Sequence, residues 1–373
     1  MPEPFLQGLR VVALEQAVAA PLCTRRLAEA GADVIKIERP EGDFARGYDT
    51  AVHGESAYFV WLNAGKRSVV LDLEEPADLQ RLEALVKRAD VVVQNLKPGA
   101  LTKLGLDLVD ARKARPELIT CSISGYPSSG PSARKKAYDL LLQAETGLAS
   151  ITGTPDGPGR VGVSVCDIGC GMFAYEAVLG ALIRRGLTGR GQAVEVSLFE
   201  AMAEWMTVPY LLERYGHGAP ERVGLAHPGI APYGVFESGD GQSFVLAVQN
   251  EREWRSLCER VLQRPEWTQD ERTATNAARV RHRELVDRAV QDAAAGRSYP
   301  SMEEKLVAAD IAHAPVHDVG GLVRHRDLLL REIEVAGQSA RLPAPPGAPS
   351  RSTTPRVPKL GEHTDEVFAE IDR

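Results

Sequence analysis

Leu9-Arg10-Val11-Val12-Ala13-Leu14-Glu15, followed by Pro21 to Ala30 and then by Val34-Ile35-Lys36-Ile37-Glu38, carries the fold class. It reads as a buried strand, a helix with Leu22, Leu27 and Ala28 turned inward, and a second buried strand. Two apolar strands joined by one helix make a parallel crossover unit. The alternation continues with a strand at 69–73 and a helix at 76–88 that has Leu79, Leu82, Leu85 and Val86 apolar. Next come a strand at 91–95, short helices from Pro98 and from Asp107, and a strand at 118–123. We expect an α/β fold, a Rossmann-like doubly wound large domain. Ligands of such sheets sit at the carboxyl ends of the strands, where Arg39 and Asn95 fall. The first turn, Glu15 to Pro21, contains no glycine. It lacks the G-x-G-x-x-G fingerprint, which argues against a dinucleotide held in the usual cradle.

The chain has 373 residues, enough for about two domains. We expect the large domain to take residues 1–205 and 320–373, with a smaller α+β domain at 225–315. Connections are expected at 206–224 and 316–358. Residues 215–232 are rich in Gly, Pro and His and mark a boundary, and 343–358 read as an extended connection. Tyr233 to Phe236, an Asp240-Gly241 turn and Phe244 to Val248 read as a hairpin. A net charge of −7 argues against non-specific nucleic-acid binding. No apolar run approaches the ~18 residues of a membrane span, and the N-terminus lacks a secretory pattern. Cys23, Cys121, Cys166, Cys170 and Cys258 are odd in number and lie in apolar segments. They read as reduced, buried thiols of a cytoplasmic protein. No second Cys/His pair stands at a metal-binding spacing, so no metal is expected.

Arg160 to Gly171 reads as a short apolar strand that delivers Asp167 to a glycine-spaced turn, followed by a long helical pattern from Ile168 to Ile183. Asp167 is thus placed at a helix N-terminus. There a carboxylate either caps free amides or, in an apolar crevice, serves as a nucleophile. Gly169 and Gly171 are read as room for a ligand to approach the backbone.

Several motifs stand in order: Leu9 to Val12, Gly31 to Pro40, Asn63-Ala64-Gly65-Lys66-Arg67-Ser68, Asn95-Leu96-Lys97-Pro98-Gly99, Tyr138-Asp139 and Gly186 to Gln192. Together they resemble the class III (CaiB/BaiF) CoA-transferases over about residues 5 to 205, and more weakly beyond. The resemblance implies that an Asp attacks an acyl-CoA thioester and passes through an anhydride to an aspartyl-CoA thioester. Asp167 matches that Asp. It implies CoA contacts from Arg39, Asn95, Lys103 and Lys136, and a path lined by Ala17, Val18, Ala19, Leu71, Leu96 and Lys97. Coenzyme A is then a substrate, and no cofactor is permanently bound. Two positions depart from formyl-CoA transferase, where Val18 stands in place of a Gln and Glu74 in place of a Lys.

The same fold family contains α-methylacyl-CoA racemases, whose His precedes the Asp matching Asp139. Here Tyr138 occupies that place, and a phenol of pKa about 10 is a poor base at neutral pH. We read Tyr138 instead as a hydrogen-bond donor to the acyl or anhydride oxygen. The segments His227 to Gly234 and Val248 to Trp254 are similar to members acting on five-carbon dicarboxylates. The resemblance therefore implies succinyl-CoA as donor and itaconate, mesaconate or citramalate as acceptor. Arg25, Arg46 and His227 are candidates for the distal carboxylate. Racemisation, an intramolecular CoA shift and CoA binding without catalysis remain as alternatives. The resemblance also implies an interlocked homodimer.

Overall fold

The computed structural model describes residues 4–216, 218–347 and 353–371. It divides into two compact units. The first holds residues 1–148, 161–208 and 329–373, and the second holds 149–160 and 209–328.

The first unit is built on six parallel strands: β1 (Arg10–Leu14), β2 (Asp33–Glu38), β3 (Arg67–Val70), β4 (Val91–Gln94), β5 (Ile119–Ser124) and β6 (Ala193–Ser197). Their order is β3-β2-β1-β4-β5-β6. Val11 stands opposite Val34 on one side and Val91 on the other. The order therefore reverses between β1 and β4, where the carboxyl ends open a crevice. Side chains alternate across the sheet. Val11 and Ala13 join one core with Cys23 and Leu27 of the Ala19–Glu29 helix and with Cys170, Ala174 and Val178 of the Val165–Thr188 helix. Val12, Leu14, Ile35 and Ile37 join another with Leu82, Leu85 and Val367.

Four expectations change. Arg160 to Ser164 form no strand. The helix begins at Val165, and the backbone of Val161 is held by the Gln143 side chain rather than by a strand partner. Second, Gly169 and Gly171 serve packing rather than ligand access. A Cβ on Gly169 would meet the Trp205 ring at 3.2 Å, and one on Gly171 would meet the Ala19 carbonyl oxygen at 2.6 Å. Third, the expected connection at 316–358 contains an antiparallel hairpin, Leu330–Val335 with Gln338–Pro343. Its two turn residues, Ala336 and Gly337, both have positive φ, as a tight hairpin turn requires. Ile333 and Val335 pack against Phe59 and Val60. Residues 149–160, assigned to the large domain by sequence, cluster with the second unit. In addition, the Val165–Thr188 helix is long and apolar enough to cross a bilayer, although no such run was expected. Its Cys166, Cys170, Ala174, Val178 and Ala181 are nonetheless packed in the core.

The second unit has a three-stranded antiparallel sheet of Tyr233–Glu237, Ser243–Ala247 and Ala312–Pro315. Phe244, Leu246, Trp254, Leu257, Val290 and Leu306 form its core. All five cysteines are free and buried.

Candidate active site

Asp167 lies in the first turn of the Val165–Thr188 helix, but it does not cap it. The cap comes from another element. Asp139, the first residue of the Asp139–Glu145 helix, accepts from the Cys166 amide through Oδ1 at 2.8 Å. Its Oδ2 accepts from Gln143 Nε2 at 2.7 Å, and Gln143 Oε1 accepts from the Val161 amide at 2.9 Å. Among the described residues, none donates a hydrogen bond to the half-buried Asp167 carboxylate. Burial, and then the Asp139 charge, push its pKa up to about 7. A helix N-terminus favours an anion, so here desolvation and like charge outweigh it.

Aromatic hydroxyls gather at this turn. Tyr58 Oη is 3.3 Å from Ser164 Oγ. The Tyr48 ring meets Tyr58 edge-on at 5.6 Å. Burial, then Asp43 and Asp167, hold the Tyr48 hydroxyl above its usual range, and Tyr138 adds to the effect. Tyr138 is 65% exposed and immediately precedes the Asp139 helix. Ala17 and Val18 pack with Tyr58, Trp61 and Ile168, which brings the turn after β1 next to Asp167.

That turn is held under strain. Ala17 has φ 63°, a conformation that costs an L-residue about 1–2 kcal/mol. Asn95 grips its neighbour Gln16, with Oδ1 accepting from the Gln16 amide at 3.0 Å and Nδ2 donating to the Gln16 carbonyl at 2.9 Å. Asp43 Oδ1 accepts from the Ala17 amide at 3.2 Å. Beneath the turn, Lys36 Nζ donates to Asp43 Oδ2 at 2.9 Å, and Lys66 Nζ donates to Glu15 Oε1 at 2.6 Å. All four of these charged side chains are fully buried. Burial lowers Lys66 to about 8 in spite of Glu15. The Asn63-to-Ser68 motif thus supplies a buried counter-ion for the turn. Asn95, expected to touch CoA, uses its amide to shape the turn.

Arg39, Leu71 and Leu96 line a cavity of about 460 Å³ with Gln16, Glu41, Asp72 and Glu74. It opens at the strand ends. Lys97 lines a second cavity of about 190 Å³ beside Ser122 and Thr102. Lys103 and Lys136 are exposed and line neither. Ala19 is buried at the start of its helix. Arg46 is not free for a substrate, because it forks onto Glu38 at 2.7 and 2.8 Å and covers the Phe59 ring. Arg25 gives its Nε to Glu29 at 2.7 Å. His227 belongs to the second unit and stacks on Tyr233. Among the described residues, no cluster of three or more His, Cys, Asp or Glu could hold a metal.

Sequence reasoning missed Tyr48 and Gln143, and it left Asp139 outside the site. Tyr48 sits in a loop without periodicity. Asp139 had a signal, since the Tyr138-Asp139 pair was already a motif.

Among the described residues, the Asp167 carboxylate thus stands without a donor in the first turn of its helix, and Gln16 of the turn after β1 lines the cavity at the strand ends. The chain belongs to CoA-transferase family III, whose model matches residues 6–364. It is 34% identical to the succinate–glutarate CoA-transferase of Agrobacterium fabrum, covering 99% of this chain and 96% of that one. It is 32% identical to the succinyl-CoA:mesaconate CoA-transferase of Haloarcula hispanica, covering 98% and 96%. The crystal structure of a CaiB/BaiF family protein from Brucella suis superposes with a TM-score of 0.84 at 33% identity, covering 100% of each chain.

Proposed function

We propose that this enzyme moves CoA from succinyl-CoA to a five-carbon dicarboxylic acid through an aspartyl-CoA intermediate on Asp167. Mesaconate, itaconate and citramalate are the acceptors expected from the sequence. The names of the relatives add glutarate and again support mesaconate. An Asp167 oxygen attacks the thioester carbonyl, a C–O bond forms, and the CoA thiolate leaves. The thiolate then attacks the Asp167 carbonyl carbon of the mixed anhydride and expels the donor acid. The acceptor carboxylate reverses the sequence, and the thiolate finally takes the new acyl group. Bonds balance without any proton carrier or redox partner.

Tyr138 and Tyr48 would donate to the anhydride oxygens, as preorganised donors do for developing charge. The cavity of Arg39, Leu71 and Leu96 would take the nucleotide end of CoA. Lys97, Lys103 and Lys136 would meet the phosphates as point charges. Ala17, Val18 and Ala19 would border the thioester, with Asn95 shaping that turn. We read the sheet as doubly wound in the Rossmann manner, the protein as an interlocked homodimer, and its compartment as the reducing cytoplasm. We expect no permanently bound cofactor, nucleic acid or membrane.

One observation carries the mechanism: Asp139 caps the helix, so the Asp167 carboxylate is left unbonded. Racemisation is the weaker reading, because both Asp139 oxygens are engaged as acceptors and Tyr138 is no base. Incubation with succinyl-CoA followed by hydroxylamine should convert Asp167 to the hydroxamate, detected by peptide mass spectrometry. Unmodified Asp167, or CoA transfer by Asp167→Ala at the wild-type rate, would overturn the mechanism. Solvent deuterium at the α-carbon of a 2-methylacyl-CoA would favour the racemase instead.

A further inference from the structure

Two side chains of one short helix grip the segment leading into Asp167. Gln143, fully buried, bonds the amide of Val161 through Oε1 and passes an N–H to Asp139. Asp139 then takes the Cys166 amide. The grip therefore spans residues 161 to 166 and ends one residue before the carboxylate. The cap has a consequence for Asp167. First-turn amides of a helix have no partner within it, and an acidic side chain there ordinarily satisfies one. A second carboxylate already bonded to the Cys166 amide removes that demand.

We infer that Asp139 is a positioning residue for the transfer: with Gln143 it fixes the entry to the helix, takes the cap, and sets a negative charge beside Asp167 while leaving the Asp167 oxygens free. This inference rests on Asp167 being the acylated group. Burial first, and then the Asp139 charge, raise Asp167 toward neutrality. The other groups facing this corner are weak acids. Tyr48 comes from the loop after the Phe44–Gly47 turn, and Tyr138 precedes the Asp139 helix. Tyr58 reaches Ser164. Cys166 and Cys170 lie on the Asp167 helix itself, and burial first, then acidic neighbours, push both thiols up. The Asp139 carboxylate is the group whose charge acts on Asp167.

The test is the pH dependence of Asp167 itself. A carbodiimide reacts with the protonated carboxyl, so labelling of Asp167 in the substrate-free protein should fall with a midpoint near pH 7. In Asp139→Asn the amide oxygen still takes the Cys166 N–H but the charge is gone. The midpoint should then drop by about one pH unit or more, and kcat by about tenfold as the nucleophile becomes less basic. Asp139→Ala should add a loss of thermal stability. An unmoved midpoint in Asp139→Asn overturns the inference. If Asp139→Asn does not fold, Gln143→Met retains the charge and the Cys166 cap but cuts the tether. It should leave the midpoint in place and lower kcat by about 3- to 10-fold. Wild-type turnover in that variant also overturns the inference. A midpoint that moves as expected in a protein that transfers no CoA would sink the transferase reading and leave the charge coupling intact.

Discussion

At the scale of single residues, Asp167 lies in the first turn of the Val165–Thr188 helix, and its place before a helical pattern was legible. Its freedom was not, because the group that releases it, Asp139, lies 28 positions earlier and reaches it only through the fold. Nor could sequence give the sign of its shift, since burial and the helix end oppose each other. The folded carboxyl holds its proton to about pH 7. The native state therefore binds more protons than the unfolded chain between about pH 4 and pH 7. Stability falls as pH rises through that window. Asp167→Asn should abolish transfer yet stabilise the fold by about 1–3 kcal/mol at pH 8 and not at pH 4. Urea melts at both pH values check this, and equal stabilisation at both would contradict it. A second prediction concerns Glu74. Its cavity has Arg39 as a cation against Glu41, Asp72 and Glu74, which suits the 3′-phosphate of CoA poorly. Glu74→Lys should lower KM for the CoA thioester about 2- to 5-fold, as one exposed ion pair would. KM for the dephospho-CoA thioester should stay the same.

At the scale of elements, β1 and β4 were legible to within a residue because they are buried, near-continuous apolar runs, whereas the strand expected at 69–73 runs from Arg67 to Val70. The Leu330–Val335 hairpin escaped because a Pro-rich segment follows it and Ala336 gives no turn signal. The glycines at 169 and 171 misled for a related reason. Sequence announces space but not what fills it. The Val165–Thr188 helix meets the Ala19–Glu29 helix at Gly171, where the Ala19 carbonyl oxygen leaves no room for a Cβ. Gly171→Ala should therefore push apart the two helix starts that frame the site. We expect a loss of about 1–3 kcal/mol from this overpacking, with kcat falling alongside. Gly169→Ala meets only the edge of a side chain, Trp205, and should cost less. Thermal melts of the two variants compare them directly, and the reverse ranking would mean that the close approach at Ala19 does not set the helix position.

At the scale of the whole molecule, the second unit's hairpin and helical stretch were legible, but the membership of residues 149–160 was not. That stretch shares turn-rich composition with its surroundings, and only contacts assign it. The homodimer is the expectation with the largest physical consequence. After Trp205 the chain enters a helix, Thr207–Tyr215, in which no residue is buried. Val208, Tyr210, Leu211, Leu212 and Tyr215 are 42–76% exposed there. Isolated helices this short are marginal in water, and a contiguous apolar surface of this kind marks a contact site. A second copy of the chain is the occupant we expect. Light scattering on the eluting protein should give twice the 40.4 kDa chain mass. Leu211→Glu combined with Tyr215→Glu should weaken the dimer, expose apolar surface to a hydrophobic dye and lower thermal stability. A protein that elutes at the mass of one chain with full transferase activity would mean that this helix is covered by something else, and the interlocked reading would fall.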